Sequence, residues 1–170
     1  LRAATAMHQA LTLHGMRYVI DPKSAYTDAV RNKLALDFLQ FPRQTLSYKA
    51  GDCDDLSILF CALLESVGID TAFITVPGHI YMAFALDMNE AQARKMFAKP
   101  DDLVMASDRV WIPVEITETQ GGFLKAWSAG ARQWRENSAA GQAKLYPLRE
   151  AWEVFDPVGL PGEGESLTFP

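Results

Sequence analysis

Residues 49–69 have the sequence Lys49-Ala50-Gly51-Asp52-Cys53-Asp54-Asp55-Leu56-Ser57-Ile58-Leu59-Phe60-Cys61-Ala62-Leu63-Leu64-Glu65-Ser66-Val67-Gly68-Ile69. A glycine turn and a short polar segment come first, and an apolar run with helical spacing follows. That run consists of Leu56, Leu59, Phe60, Leu63, Leu64 and Val67. Gly68 supplies a stop signal, so the stretch predicts a core helix with Cys53 in its first turn.

Cys53 stands at the start of this helix, whereas Cys61 lies inside its apolar body. The amides at a helix N-terminus carry partial positive charge, which stabilises a thiolate. The neighbouring Asp52, Asp54 and Asp55 do not belong in an apolar interior unless they are paired or hydrogen-bonded. We therefore interpret Cys53 as a candidate nucleophile and Cys61 as a buried core residue. The two lie eight residues apart, about 12 Å along a helix, which is too far for a disulfide.

A nucleophilic thiol needs a base within hydrogen-bond reach and a third group that orients the base. Residues 71–86 form two β-rich runs around a Pro-Gly pair, which predicts strand, tight turn and strand, with His79 at the head of the second strand. Residues 110–117 predict another strand, in which Glu115 is the one acid. The order of cysteine, histidine and acid matches a thiol, imidazole and carboxylate relay.

Three motifs together resemble the transglutaminase-like superfamily of papain-type cysteine enzymes, in particular its bacterial cysteine peptidases. They are Gly-Asp-Cys-Asp-Asp-Leu-Ser at residues 51–57, Gly-His-Ile-Tyr-Met-Ala-Phe at residues 78–84 and Trp-Ile-Pro-Val-Glu-Ile-Thr at residues 111–117. The resemblance covers about residues 45–120. It implies that Cys53 is the nucleophile, His79 the general base and Glu115 the orienting acid.

The sequence departs from the pattern of this superfamily at two places. Most members carry Asp where Glu115 stands, so the acid here has a longer arm. Tyr81 and Ala83 occupy the positions at which the eukaryotic enzymes commonly carry a tryptophan and an acid. The second departure argues against protein cross-linking.

The order of elements predicts an α+β fold of the papain and transglutaminase-like type. In this fold the nucleophile-bearing central helix packs on an antiparallel sheet, with additional N- and C-terminal helices. The chain has 170 residues and is 49% hydrophobic, which suffices for one domain with a sizeable core. We assign residues 1–158 to a single transglutaminase-like domain and residues 159–170 to a flexible tail or linker.

Several flanking elements follow from the same kind of pattern. Residues 1–16 predict a helix on which His8 and His14 lie six residues apart, unlike a helical metal pair, so we expect ordinary surface or interface residues. Residues 17–22 predict a short extended segment that ends in a turn at Asp21-Pro22. Residues 28–39 predict a second helix. We expect residues 41–48 to be a loop, from which one residue within Gln44 to Tyr48 supplies the second oxyanion donor, as the resemblance implies.

The second half of the chain gives weaker signals. Residues 87–109 predict a surface excursion with a short helix, a turn and a strand that pairs with the strand containing Glu115. Residues 123–143 predict a helix with a bend or break at Gly130, and residues 146–152 a short final helix. An aromatic stripe on the longer helix is expected to face the core. It consists of Phe123, Trp127 and Trp134.

Charge and hydropathy exclude some classes of partner. The chain has 16 basic and 21 acidic residues, a net charge of −5, which argues against general binding to nucleic acid or anionic membranes. No apolar run is long enough for membrane insertion. The chain begins with Leu1 rather than Met, so we expect part of a larger protein. Its expected location is the bacterial periplasm or cell envelope.

The acidic residues beside Cys53 suggest a cation as well as a helix start. Carboxylate oxygens suit Ca²⁺, and some bacterial peptidases of this superfamily bind calcium through carboxylates that flank the cysteine. Asp52, Asp54 and Asp55 are the matching positions, although acidic first turns also stabilise a helix without any ion. No cofactor is otherwise required. A metal enzyme built on Asp52, Asp54 and His79 is a further alternative, but the spacing resembles no transition-metal motif.

We therefore predict a cysteine acyl-transfer enzyme with a Cys53, His79 and Glu115 triad. It acts as a peptidase or amidase on a peptide or protein substrate, through a thioester intermediate. Two alternatives remain, namely a catalytically silent module that binds peptides on the same fold, and a transglutaminase or transpeptidase that uses an amine acceptor.

Overall fold

The computed structural model describes residues 1–20 and 39–159. The predicted helix over residues 28–39 and the predicted tail lie outside these residues, except at Leu39 and Gly159. The helices are α1 (Arg2–His14), α2 (Pro42–Tyr48), α3 (Cys53–Glu65), α4 (Glu90–Met96), α5 (Phe123–Ala139) and α6 (Leu148–Trp152). The strands are β1 (Arg17–Tyr18), β2 (Ala50–Gly51), β3 (Thr71–Val76), β4 (His79–Leu86), β5 (Val104–Ala106), β6 (Arg109–Val114) and β7 (Lys144–Pro147).

Five strands form one antiparallel sheet in the order β5, β6, β4, β3, β7. Helix α3 packs against it, because its apolar side faces the residues of β4 and β6 that point to the same face. This main core contains Leu56, Leu59, Phe60, Leu64, Met82, Phe84, Ile112 and Val114. A second cluster contains Ala72, Ile74, Tyr81, Ala83, Val104 and Trp111. The α+β prediction, with the cysteine helix packed on an antiparallel sheet, is confirmed.

In the described part of the chain, no helix has the length and apolar character needed to cross a membrane.

A short parallel pair brings the N-terminal segment to the cysteine. Strand β1 pairs with β2, so that Tyr18 lies opposite Gly51, two residues before Cys53. The amide of Val19 donates to the carbonyl of Gly51 at 2.9 Å. The sequence predicted an extended segment at residues 17–22 but not its partner strand.

The expected loop at residues 41–48 is wrong, because most of it is helix α2. Pro42 occupies the first helical position, where its missing N–H costs nothing. The side-chain carbonyl of Gln44 accepts a hydrogen bond from the amide of Phe41 at 2.8 Å, which satisfies one backbone donor at the helix start. Residues 42–48 are therefore helical, and strand β2 connects them to Cys53.

His8 is buried, so its assignment as a surface or interface residue is wrong. Its ring lies edge-on to the rings of Phe60 and Phe123, and burial lowers its pKa. Ala4, His8 and Leu11 share the core face of α1, which explains why a histidine at this spacing points inward. His14 is exposed, as expected, and its Nε2 lies 3.2 Å from the carbonyl oxygen of Leu46.

The C-terminal part begins with a strand that the sequence did not predict. Lys144–Pro147 pairs with β3 at the edge of the sheet, and the final helix starts only at Leu148. An edge position tolerates Pro147, which cannot donate a ladder hydrogen bond.

The excursion at residues 87–109 contains the expected helix, turn and strand, and β5 pairs with β6 through a two-residue turn.

Helix α5 continues through Gly130 without a break and ends at Ala139. A Cβ atom at this position would lie 2.9 Å from the carbonyl carbon of Pro113 and 3.0 Å from the amide nitrogen of Glu115. Glycine is therefore required for close packing of α5 on the end of β6. The aromatic stripe divides, because Phe123 and Trp127 pack in the main core and Trp134 against the second cluster.

The substitution Gly130→Ala tests this close approach. Alanine is favoured over glycine in a helix interior by about 1 kcal/mol, but overpacking against fixed backbone costs about 1–3 kcal/mol. We expect a lower free energy of unfolding, measured by chemical denaturation. The exposed Ser128 on the same helix provides the control, because Ser128→Ala should leave the stability unchanged or raise it slightly. Equal stabilisation by both substitutions would show that the close packing is absent.

Candidate active site

Cys53 is the first residue of α3, and its position depends on the cap before it. The carboxylate of Asp52 accepts the amide of Asp55 at 3.4 Å, and the carboxylate of Asp55 accepts the amide of Asp52 at 3.3 Å. This reciprocal capping box satisfies two amides and fixes the entry of the chain into the helix. Cys53 itself is 5% exposed, and its carbonyl accepts the hydroxyl of Ser57 at 2.6 Å.

The acidic residues around Cys53 are buried and serve the helix start. Asp54 accepts the amide of Asp55 at 2.8 Å, and Asp55 accepts the amide of Gln40 at 2.7 Å. Buried carboxylates need such donors, and the contact with Gln40 joins the segment before α2 to α3. Backbone amides thus donate the hydrogen bonds that these buried carboxylates need.

His79 begins β4 and contacts the other two predicted members of the relay. Its Nε2 lies 2.7 Å from Oε2 of Glu115, and its side chain also interacts with that of Cys53. Because Glu115 occupies Nε2, Nδ1 is the ring nitrogen left for Cys53. The ring also stacks on Tyr81, with ring centroids 6.0 Å apart. The structure therefore brings Cys53, His79 and Glu115 together, in that order.

Glu115 lies one residue beyond β6, so its placement inside that strand is wrong. Its amide leaves the sheet and donates to the carbonyl of Ala126 in α5 at 3.0 Å. The carboxylate is 6% exposed and has donors on both oxygens. Oε1 accepts the amide and hydroxyl of Thr117 at 3.2 and 2.6 Å, and Oε2 accepts His79 at 2.7 Å and Gln133 at 2.6 Å.

The contacts of the pair shift both pKa values. Burial alone would lower the pKa of His79, but its hydrogen bonds with Cys53 and Glu115 and the charges of both groups raise it to about 10. Burial would raise the pKa of Glu115, but the hydrogen bond and charge of His79, with Thr117 and Gln133, hold it below its usual value. The site therefore favours an imidazolium beside the ionised Glu115 carboxylate at neutral pH.

Sequence reasoning missed three residues at this site. Thr117 lies only two residues after Glu115, so a search for donors near the acid could have found it. Gln133 gave no signal, because α5 approaches Glu115 only in the folded chain. Tyr18 faces the site from β1, and burial together with the charges of Cys53, Asp52, Glu115 and Asp54 raises its pKa. Its hydroxyl therefore stays protonated and can donate a hydrogen bond.

A metal could use only part of the predicted acidic set. Asp52, Cys53 and Asp54 each offer one ligand atom, and these atoms lie within 4.8 Å of one another. Among the residues that the structure describes, His79 does not join such a group, which contradicts the alternative of a metal enzyme built on Asp52, Asp54 and His79. Asp55 accepts backbone amides, and Asp52 and Asp54 both accept its own amide. Capping explains the cluster, and calcium stays a prediction.

The raised pKa of His79 can be measured directly. We expect the ring signals of His79 to show no titration near 6.5 in NMR spectra and to titrate near 10. In a Glu115→Gln variant the midpoint should fall, because the buried negative partner is gone. The His14→Gln variant serves to assign the spectrum, since His14 is exposed. A midpoint near 6.5 for His79 in the unsubstituted protein would contradict the pair.

The same shifts predict how stability depends on pH. His79 has a raised pKa, so its contribution is complete below 6.5 and is lost as the pH rises toward about 10. Glu115 has a lowered pKa, so its contribution is complete above 4.5 and is lost as the pH falls below that value. The stability difference between the unsubstituted protein and a His79→Gln variant should therefore shrink at both ends of the pH range.

Comparison with known proteins identifies the family of this chain. No curated protein matches the chain. The family model described as the transglutaminase-like superfamily matches residues 3–116, which is more than half of the chain and includes Cys53, His79 and Glu115. The chain belongs to the transglutaminase-like superfamily.

Proposed function

We propose that this protein is a cysteine-dependent acyl-transfer enzyme that hydrolyses a peptide bond or side-chain amide through a thioester on Cys53. The observation that carries the proposal is the continuous line of contacts from Cys53 through His79 to Glu115. Its membership of a superfamily that usually contains cysteine enzymes supports the same reading. The three residues take the roles of nucleophile, general acid and base, and orienting acid.

In the first half of the reaction the thiolate of Cys53 attacks the carbonyl carbon of the amide. A C–S bond forms, and the carbonyl electron pair moves to the oxygen. When this oxyanion collapses, the C–N bond breaks, and the proton on Nδ1 of His79 goes to the leaving nitrogen. The products of this half are a free amine and a thioester.

In the second half a water molecule attacks the thioester. Nδ1 of His79, now neutral, takes a proton from the water, the C–S bond breaks, and the carboxylic acid leaves. The thiolate and imidazolium are restored. Glu115 keeps Nε2 of His79 protonated throughout, and its negative charge stabilises each imidazolium state.

The oxyanion needs hydrogen-bond donors beside Cys53. The amide of Cys53 is one candidate, since the first amide of a helix has no acceptor inside that helix. A second donor within Gln44 to Tyr48 stays a prediction, although Oε1 of Gln44 accepts the amide of Phe41 and Thr45 is fully buried in α2. Tyr18 is an additional candidate, because its protonated hydroxyl faces the same charges.

Hydrolysis is favoured over cross-linking by the environment of His79. Tyr81 stands where the cross-linking enzymes commonly carry a tryptophan, and its hydroxyl donates to the carbonyl of Gly130 in α5 at 3.3 Å. A silent binding module is the second candidate. The donors on both oxygens of Glu115 argue against it, because binding alone requires no such arrangement around a half-buried histidine.

Reaction with p-nitrophenyl acetate tests the proposal. We expect a burst of nitrophenolate and an acetyl group on Cys53, located by peptide mass spectrometry. The burst should disappear in Cys53→Ala, and its rate should fall about 10²–10⁴-fold in His79→Gln, since the general acid and base is lost. Cys61 is the matched control, because it is buried and burial raises the pKa of its thiol to about 12. Cys61→Ala should keep the burst.

Two further arms of this experiment separate the alternatives. Faster turnover with added methylamine than with water alone would favour the transferase over the hydrolase. A difference between assays with Ca²⁺ and with a chelator, lost in Asp54→Asn, would support calcium at Asp52, Asp54 and Asp55. An absent burst, with Cys53 unmodified in a folded protein, would exclude the enzyme and favour the binding module.

A further inference from the structure

Helix α5 lies beyond the part of the chain that matches the superfamily, yet it contacts Glu115 twice. Its Ala126 carbonyl accepts the amide of Glu115 at 3.0 Å, and its Gln133 side chain donates to Oε2 of Glu115 at 2.6 Å. Between these contacts, Gly130 packs directly on the backbone of Pro113 and Glu115. The helix is therefore held at a fixed distance from the acid.

The chemistry of the contact fixes the orientation of the amide. An ionised carboxylate only accepts hydrogen bonds, so the nitrogen of Gln133 must face Glu115. Gln133 and His79 then share the same carboxylate oxygen, Oε2, while Thr117 holds Oε1. Glutamate has one more rotatable bond than aspartate, so it has more conformations that lead away from His79.

The geometry points to Gln133 as a positioning residue that holds Oε2 of Glu115 on Nε2 of His79. The contacts alone support the positioning role. Only the effect of this role on the reaction rate rests on the proposed function. A glutamate in place of the usual aspartate then has a partner from a segment outside the matched domain. Gln133 thus gives the longer Glu115 side chain a second fixed contact at Oε2, the oxygen that binds His79.

Two consequences follow for a chain without this amide. Glu115 keeps its burial but loses a donor, so its carboxylate becomes harder to ionise. Oε2 also gains positions away from Nε2 of His79, which weakens the hydrogen bond and the charge interaction that keep the ring protonated. Among the described residues, Tyr18 and Tyr81 also interact electrostatically with Glu115, and both have raised pKa values and stay neutral at neutral pH. Cys53 is the other group that acts on the pKa of His79, and the substitution leaves it in place.

The substitution Gln133→Leu removes the amide and keeps a side chain of similar size. We expect the NMR titration midpoint of His79 to fall and the acetylation rate of Cys53 by p-nitrophenyl acetate to drop about 10- to 100-fold, as for the loss of one hydrogen bond to a buried charge. Glu136 is exposed on the same helix, so Glu136→Leu is the matched control. It should change neither quantity.

The isosteric substitution Gln133→Glu adds a readout that a packing role would not produce. Two carboxyl groups in direct contact cannot both ionise easily, so at acid pH the new group stays protonated and can still donate to Glu115. The acetylation rate relative to the unsubstituted protein should therefore be highest at the acid end. It should fall as the pH rises and the donor is lost.

The outcomes distinguish this inference from the proposed function. If the unsubstituted protein is not acetylated, the proposed function fails, while the His79 midpoint in Gln133→Leu still decides the positioning role. An unchanged midpoint in folded Gln133→Leu would overturn the role of Gln133. A rate loss with an unchanged midpoint and no pH dependence in Gln133→Glu would also overturn it, because both results would indicate packing alone.

Discussion

The hydrogen bond between Nε2 of His79 and Oε2 of Glu115 is the interaction on which the site depends. It joins the start of β4 to the chain just beyond β6, two neighbouring strands whose register fixes how closely the residues approach. Because the bond occupies Nε2, the ring presents its other nitrogen to Cys53 at the start of α3. The sheet and the central helix thus meet at one imidazole ring, and its charge state follows from the groups on either side.

Burial gives these contacts their strength and also requires them to be complete. A carboxylate that is 6% exposed needs donors, and Glu115 has them from its own loop, from His79 and from α5. The carboxylates beside Cys53 meet the same requirement through the amides of the helix start. The acidic residues near Cys53 and His79 therefore have two different roles. Asp52, Asp54 and Asp55 accept backbone amides at the start of α3, whereas Glu115 keeps the ring of His79 protonated.

Local patterns in the sequence were sufficient for the parts of the fold that depend on neighbouring residues. The apolar spacing of α3, the Pro-Gly turn before His79 and the lone acid within residues 110–117 pointed to three residues that the fold brings together. The start of α2 could have been predicted from Pro42, because proline is common at the first position of a helix. Edge strand β7 and the burial of His8 depend on packing partners far away in the chain. The role of Gln133 is the hardest to predict from the sequence, because its contact with Glu115 forms only after α5 has packed on β6.

The most direct measurement is the rate at which iodoacetamide alkylates Cys53 at a pH of about 6, where an ordinary thiol with a pKa of about 8.5 is almost entirely protonated. If the imidazolium of His79 stabilises the thiolate, the unsubstituted protein should react at least about tenfold faster than the His79→Gln variant. Peptide mass spectrometry would assign the modification to Cys53 rather than Cys61. Equal and slow rates in both folded proteins would contradict the thiolate and imidazolium pair, and with it the account of this site as a catalytic relay.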